Sequence, residues 1–139
     1  MRERKLIKYV LDTDICIFWL RGDKKIEQKI LDVGMERISL TVITQCELYY
    51  GVFKSDRVED NLKVINDLCS KIEIINFSKK TPLLYGKIKA ELENRGIGLD
   101  DADILIGCLT LENEATLVTN NVEHFKRIKG LNIENWRAK

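Results

Sequence analysis

Apolar positions along this chain recur in two rhythms, and the switches between them mark out alternating strands and helices. Ile7 to Leu11 is a short apolar run broken only by Lys8. Such a run, rich in β-branched and aromatic residues, fits a strand buried on both faces. It ends abruptly in Asp12-Thr13-Asp14, and Ile15 to Leu20 follows as a short helix stopped by Arg21-Gly22-Asp23. Asp23 can cap a second helix from Lys24 to Val33, with Ile26, Ile30, Leu31 and Val33 apolar and Gly34 ending it. Arg37 to Leu40 reads as a strand. Val42, Cys46, Tyr49, Tyr50 and Phe53 then return at helical spacing. Asp56 opens another helix through about Cys69, with Leu62, Ile65, Leu68 and Cys69 on one side.

Lys71 to Phe77 has the composition of a strand. Pro82, the only proline, falls in the first turn of a long helix from about Lys80 to Glu93, where a missing N–H does no harm. After the loop Asn94 to Gly98, a strongly apolar helix begins at Leu99 or Asp100. Ala115 to Thr119 is a further strand, Asn121 to Ile128 a short helical piece, and Leu131 to Ile133 a last short strand. This alternation predicts an α/β fold with a central parallel sheet of four to five strands flanked by helices, joined by right-handed crossovers. No repeat, low-complexity tract or linker interrupts it, so residues 1–139 are expected to form a single domain.

Composition narrows the class. Hydrophobic residues make up 45% and charged residues 32%, which suits a soluble globular chain. No apolar run approaches the roughly 20 residues of a membrane span. The start, MRERKLIKYVLD, lacks the long apolar region and small-residue cleavage site of a signal peptide, so the protein is expected in the cytoplasm. A net charge of +1 neither requires nor excludes a nucleic-acid partner. Cys16, Cys46, Cys69 and Cys108 lie far apart with no C-x-x-C pair, and read as buried free thiols. His124 is the only histidine, which argues against a zinc centre or a Ser-His-Asp site and assigns it to surface or packing. Any metal here is therefore oxygen-liganded, which favours magnesium or manganese.

Three acidic residues interrupt apolar pattern. Asp12 ends the first strand, Glu47 lies in TQCELYY, and Asp103 sits at the start of the most apolar helix. Each has a purely structural explanation. Asp12 can cap the helix that follows. Thr44 and Glu47 have the spacing of a capping box. Asp100, Asp101 and Asp103 form the acidic cluster that a helix dipole attracts. Taken as one set, the three repel one another unless a cation sits among them. A hard divalent ion in an oxygen-only pocket would activate water and stabilise charge on a phosphoryl group.

At four stretches the chain resembles the PIN-domain ribonucleases, and within them the VapC-type toxins of type II toxin–antitoxin pairs. These are YVLDTDICIFWL, ISLTVITQCELYYGV, GIGLDDADILIGCLTLENEATLVTNN and FKRIKGLNIENW, in the family's order and at its spacing. The resemblance implies a PIN-like nuclease domain in which Asp12, Glu47 and Asp103 hold Mg²⁺ or Mn²⁺ and activate water. RNA would be cut to leave a 3′-hydroxyl and a 5′-phosphate. Thr119 and Asn121 fall where the family places a hydroxyl and a fourth acidic or amide group. Many relatives carry aspartate at the latter, and Asn121 can offer only a carbonyl oxygen. Asp14 stands where asparagine is commoner, with no role assigned by the resemblance. Gly107-Cys108 replaces a usual pair of alanines, which affects packing alone. The family also implies a small cognate antitoxin that blocks the acidic pocket, and a toxin homodimer. Tyr49-Tyr50 and Phe18-Trp19 are candidates for such surfaces or for core packing.

Two other readings stay open. Haloacid-dehalogenase-type phosphatases also follow a buried strand with D-x-D, and Asp12 and Asp14 would then be nucleophile and acid/base. Against this, Cys16 replaces the usual hydroxyl or valine, and the LVTNN block has no place in that pattern. The last is a catalytically silent binding module whose acidic pocket docks a basic peptide.

Overall fold

The fold is built on strand β1, Tyr9–Leu11, which carries a neighbour on each side. A computed structural model describes residues 7–137. β2 (Ile38–Thr41) and β4 (Thr116–Val118) flank β1, with β3 (Glu73–Ile75) beyond β2 and β5 (Asn132–Glu134) beyond β4. The order is β3-β2-β1-β4-β5 and every pairing is parallel, with Val10 opposite Ser39 and Leu117. The chain winds outward from β1 to β3, then returns to the other side of β1 at β4. That reversal opens a crevice at the C-terminal ends of β1 and β4, where open α/β sheets bind ligands.

Parallel pairs cannot be joined by tight hairpins, so helices make the crossovers and cover both faces. They are α1 (Thr13–Leu20), α2 (Lys24–Val33), α3 (Val42–Lys54), α4 (Val58–Lys71), α5 (Thr81–Asn94), α6 (Asp101–Glu112) and the short α7 (Val122–Phe125). Successive residues of β1 feed opposite layers, as the two-residue period of a strand requires. Leu11 packs with Ile15, Ile26, Leu40, Leu48 and Ile65 on the α1–α4 side. Val10 packs with Ile106, Leu109, Leu117, Phe125 and Ile128 on the other. Past β5, Trp136 rests against Tyr9 of the central strand at 5.3 Å, and Arg137 Nε donates to Asp23 Oδ2 at 2.9 Å. The other oxygen of Asp23 caps α2 as expected, accepting from Lys25 N and Ile26 N, and Gly34 stops that helix at φ 94°.

Several sequence expectations are corrected. β1 begins at Tyr9 rather than Ile7, whose side chain is exposed, and the third strand contracts to Glu73–Ile75. Asp56 does not open α4, which begins at Val58 behind Arg57. Leu31 lies outside the buried stripe of α2. The largest error concerns α3. Its buried line is Thr44, Leu48 and Val52, while Cys46, Tyr50 and Phe53 face outward, the two aromatics about 65% exposed. Thr44 is tolerated inside because its backbone N–H donates to Thr41 Oγ1 and its hydroxyl lies 3.1 Å from Thr13 Oγ1. All four cysteines are free. Cys16 and Cys108 are buried, Cys69 is partly so, and Cys46 is exposed. Among the described residues no helix is long and apolar enough to cross a membrane.

Ile106, wholly buried in α6, and Leu83, exposed on α5, give opposite expectations under the same chemical deletion. Ile106→Ala should cost about 2–5 kcal/mol in urea unfolding, and Leu83→Ala no more than about 0.5 kcal/mol.

Candidate active site

Asp12 follows the last residue of β1 and is the N-cap of α1, in extended backbone (φ −68°, ψ 162°). Its two oxygens have separate duties. Oδ1 accepts from Thr13 N at 2.8 Å, which is the capping bond, and Oδ2 accepts from Thr119 Oγ1 at 2.8 Å. The backbone is held as firmly, with Asp12 N donating to Val118 O at 2.9 Å. Asp12 is 7% exposed, and among the described residues no basic side chain pairs with it. Burial therefore pushes its carboxyl up to about 7, helped by the charges of Asp14 and Asp103 and opposed by the bonds from Thr119 and Thr13.

Glu47 lies in the second turn of α3. The N-cap of that helix is Thr41, whose hydroxyl accepts from Thr44 N at 3.1 Å, so the Thr44–Glu47 capping box does not form. Instead Thr13 Oγ1 donates to Glu47 Oε1 at 2.7 Å, tying α3 to the start of α1. Asp103 enters from α6, three residues past the N-cap Asp100. The helix dipole accounts for its neighbours better than for it. Asp101 accepts from Tyr85 Oη (2.6 Å) and Lys89 Nζ (2.8 Å), whereas Asp103 is half-buried. Burial raises the Asp103 carboxyl above its ordinary value, as do the charges of Asp100 and Glu47, while His124 lowers it. The charge of Asp103 thus acts on Asp12, and that of Glu47 on Asp103, so the three carboxylates, from three elements, form an electrostatic chain.

Thr119, fully buried just past β4, is the hub on the far side. Its N–H donates to Glu134 O, and its hydroxyl accepts from Asn121 N at 2.9 Å while donating to Asp12. Asn121 does not reach Asp12. Its side-chain amide lies 2.9 Å from His124 Nδ1, and that ring nitrogen is 3.7 Å from Asp103 Oδ2. His124, assigned above to surface or packing, is exposed but stands at the pocket wall. Its i, i+3 spacing from Asn121 was the available sign. Asp14 was left without a role and is also present: Oδ1 accepts from Ile15 N (2.7 Å) and Oδ2 from Asn120 N (3.1 Å). Tyr50 is on the surface, whereas Tyr49 bonds Asn66 and packs with Phe18 and Trp19 against the core.

The donor set is chemically suited to a hard divalent cation: oxygen-only, anionic, and with a buried carboxylate that nothing cationic compensates. Among the described residues, no three His, Cys, Asp or Glu side chains are grouped closely enough to hold a metal ion as they stand. Glu47 is exposed and Asp103 partly buried.

The raised value for Asp12 sets the sign of a pH effect. The folded form holds this proton to about pH 7, against 3.8 ordinarily, so its relative stability is present below about 4 and lost as pH rises through 7. In chelator, Asp12→Asn should therefore be more stable than the parent. The margin should grow between pH 4 and 7 to about 2–4 kcal/mol and then level off, as read by thermal or urea unfolding.

Comparison with known proteins identifies relatives of the whole described fold. A family model for the PIN domain matches residues 9–131. The chain is 38% identical over 130 residues to Ribonuclease VapC2 of Rickettsia felis, covering 92% of this chain and 97% of that protein. It is 31% identical over 131 residues to the tRNA(fMet)-specific endonuclease VapC of Salmonella typhimurium, covering 94% and 99%. Among solved structures, VapBC2 from Rickettsia felis bound to a promoter DNA fragment aligns with a TM-score of 0.86 at 36% identity, over 94% of this chain and 99% of that one. DNA-bound VapBC from Salmonella typhimurium aligns with a TM-score of 0.87 at 32% identity, over 94% and 98%.

Proposed function

Because the chain belongs to the PIN-domain family, we propose that it is a metal-dependent endoribonuclease, the toxin of a toxin–antitoxin pair. The observation that supports the reading is the buried carboxylate of Asp12, with no basic partner among the described residues and within reach of the charge of Asp103, which in turn feels that of Glu47. These three residues would hold Mg²⁺ or Mn²⁺. When bound, the ion supplies a water of lowered pKa and stabilises charge on the phosphoryl oxygens.

The chain's own residues prepare that chemistry. Thr119 and the Thr13 N–H fix the two oxygens of Asp12, so the carboxylate pays no reorientation cost when substrate arrives. Thr13 restrains Glu47 in the same way. Water attacks phosphorus, the bond from phosphorus to the 3′-oxygen breaks, and that oxygen leaves with a proton, giving a 3′-hydroxyl and a 5′-phosphate. Asn121 adds at most a neutral carbonyl oxygen at the rim.

A partner site adjoins the pocket. Between α1, α3 and α4 runs a groove of about 370 Å³, lined by Ile17, Leu20, Gly51, Val52 and Val64 and reaching Glu47. In this reading a cognate antitoxin segment occupies the groove and reaches the carboxylates, as the VapBC form of the solved relatives suggests. The outward Tyr50 and Phe53 extend the apolar surface beside it. Assembly as a homodimer and a cytoplasmic location belong to the same proposal. The phosphatase alternative is disfavoured by Asp14, both of whose oxygens are committed to backbone N–H groups rather than free for acid/base work.

Purified protein should cleave structured RNAs with Mg²⁺ or Mn²⁺ and not with chelator. Asp12→Asn, Glu47→Gln and Asp103→Asn should each lower cleavage by more than about 100-fold, beyond the usual effect of losing an outer partner. Cleavage that persists in chelator and in Asp103→Asn would refute the mechanism.

A further inference from the structure

Asp14, two residues past Asp12, is a carboxylate that the proposed chemistry leaves unused. It is the second residue of α1 and partly buried. Its two oxygens accept from backbone N–H groups in different parts of the chain, Oδ1 from Ile15 at 2.7 Å and Oδ2 from Asn120 at 3.1 Å. Asn120 sits between Thr119 and Asn121 in the turn that joins β4 to α7. That turn meets the start of α1 at two successive points, Thr119 Oγ1 on Asp12 Oδ2 and Asn120 N on Asp14 Oδ2. It is also closed on itself by Asn121 N on Thr119 Oγ1, and braced from behind by Asn135 Nδ2 on Asn120 Oδ1 at 3.3 Å.

We propose that Asp14 is a positioning residue: its carboxylate bridges the Ile15 and Asn120 N–H groups and locks the Thr119–Asn121 turn over Asp12. The lock holds the Thr119 hydroxyl on Asp12 and sets the first turn of α7, which carries His124 to Asp103. Its consequence for cleavage rests on the nuclease reading above. The lock itself does not.

The chemistry selects aspartate over its isostere. Both partners are donors, so the bridge needs two acceptor oxygens on one planar group. An asparagine can satisfy one N–H with its carbonyl oxygen but turns an NH₂ toward the other. Asn120 is exposed, so water can replace the lost bond and little stability is forfeited. What is lost is direction. A ligand supported by a loosened outer partner is still present, but it no longer waits in one orientation.

The test compares the parent with Asp14→Asn and Asp14→Ala. Backbone amide exchange in chelator reads the lock, and RNA cleavage across a Mg²⁺ series reads its effect. Both variants should exchange the Asn120 and Asn121 amides at least about 10-fold faster, while melting temperature falls by no more than about 5 °C. The kcat for RNA cleavage should drop about 10–100-fold with KM little changed, and saturating Mg²⁺ should not restore it. Unchanged exchange at Asn120 overturns the lock. Faster exchange with unchanged kcat overturns its role in cleavage. Full recovery at high Mg²⁺ makes Asp14 a metal ligand instead. A parent protein that cleaves no RNA under any metal refutes the nuclease reading, while the exchange data still decide the lock.

Discussion

A carboxylate buried at the end of a central strand, with no basic partner among the described residues, is the constraint on which this molecule turns. Asp12 follows Leu11 at the point where the sheet reverses its winding, so it cannot swing into solvent without breaking the cap of α1 and the bond to Thr119. Desolvating a carboxylate without compensation is unfavourable, and the protein tolerates it beside a sheet centre whose buried residues are mainly apolar, Val10, Leu11, Leu40, Leu117 and Val118 among them. The surrounding groups soften the penalty without removing it. Thr119 and the Thr13 N–H lower the carboxyl's pKa, while Asp14 and Asp103 raise it. A carboxylate left partly uncompensated in this way is the feature on which the proposed metal chemistry rests.

Much of this was legible in the order of residues because each element's boundary chemistry agreed with its apolar rhythm. Asp23 and Gly34 bracket α2 where expected, and Pro82 opens α5 without disturbing it. Asp12, Glu47 and Asp103 stood out because they break apolar pattern, and in the structure the charge of Asp103 acts on Asp12 and that of Glu47 on Asp103. The misreadings have a common cause. On α3 the aromatics Tyr50 and Phe53 outweighed Thr44 in any count of apolar residues, yet a threonine with its polar groups satisfied packs inward, and aromatics flanking a groove stay out. Hydropathy does not record which polar groups find partners.

The contributions of Asp14 and His124 were hidden for a different reason. Both act through contacts across the fold, Asp14 with Asn120 over 106 positions and His124 with Asp103 between two helices. Asp14 also looked redundant beside Asp12, since D-x-D can serve as cap, nucleophile motif or ligand pair. Only the identity of its two donors separates the pair into one residue that faces the crevice and one that holds its wall.

The strand order has a consequence for the time course of synthesis. β1 is the first strand made, but one of its two neighbours, β4, comes more than a hundred residues later, and Thr119 follows it. Non-local parallel pairings of this kind are the slow ones to form. A nascent chain on the ribosome therefore exposes one flank of β1 and holds Asp12 apart from Thr119 until β4 has emerged. The hydroxyl that orients Asp12 arrives more than a hundred residues after the carboxylate it serves, so the two halves of this contact are made at separate times.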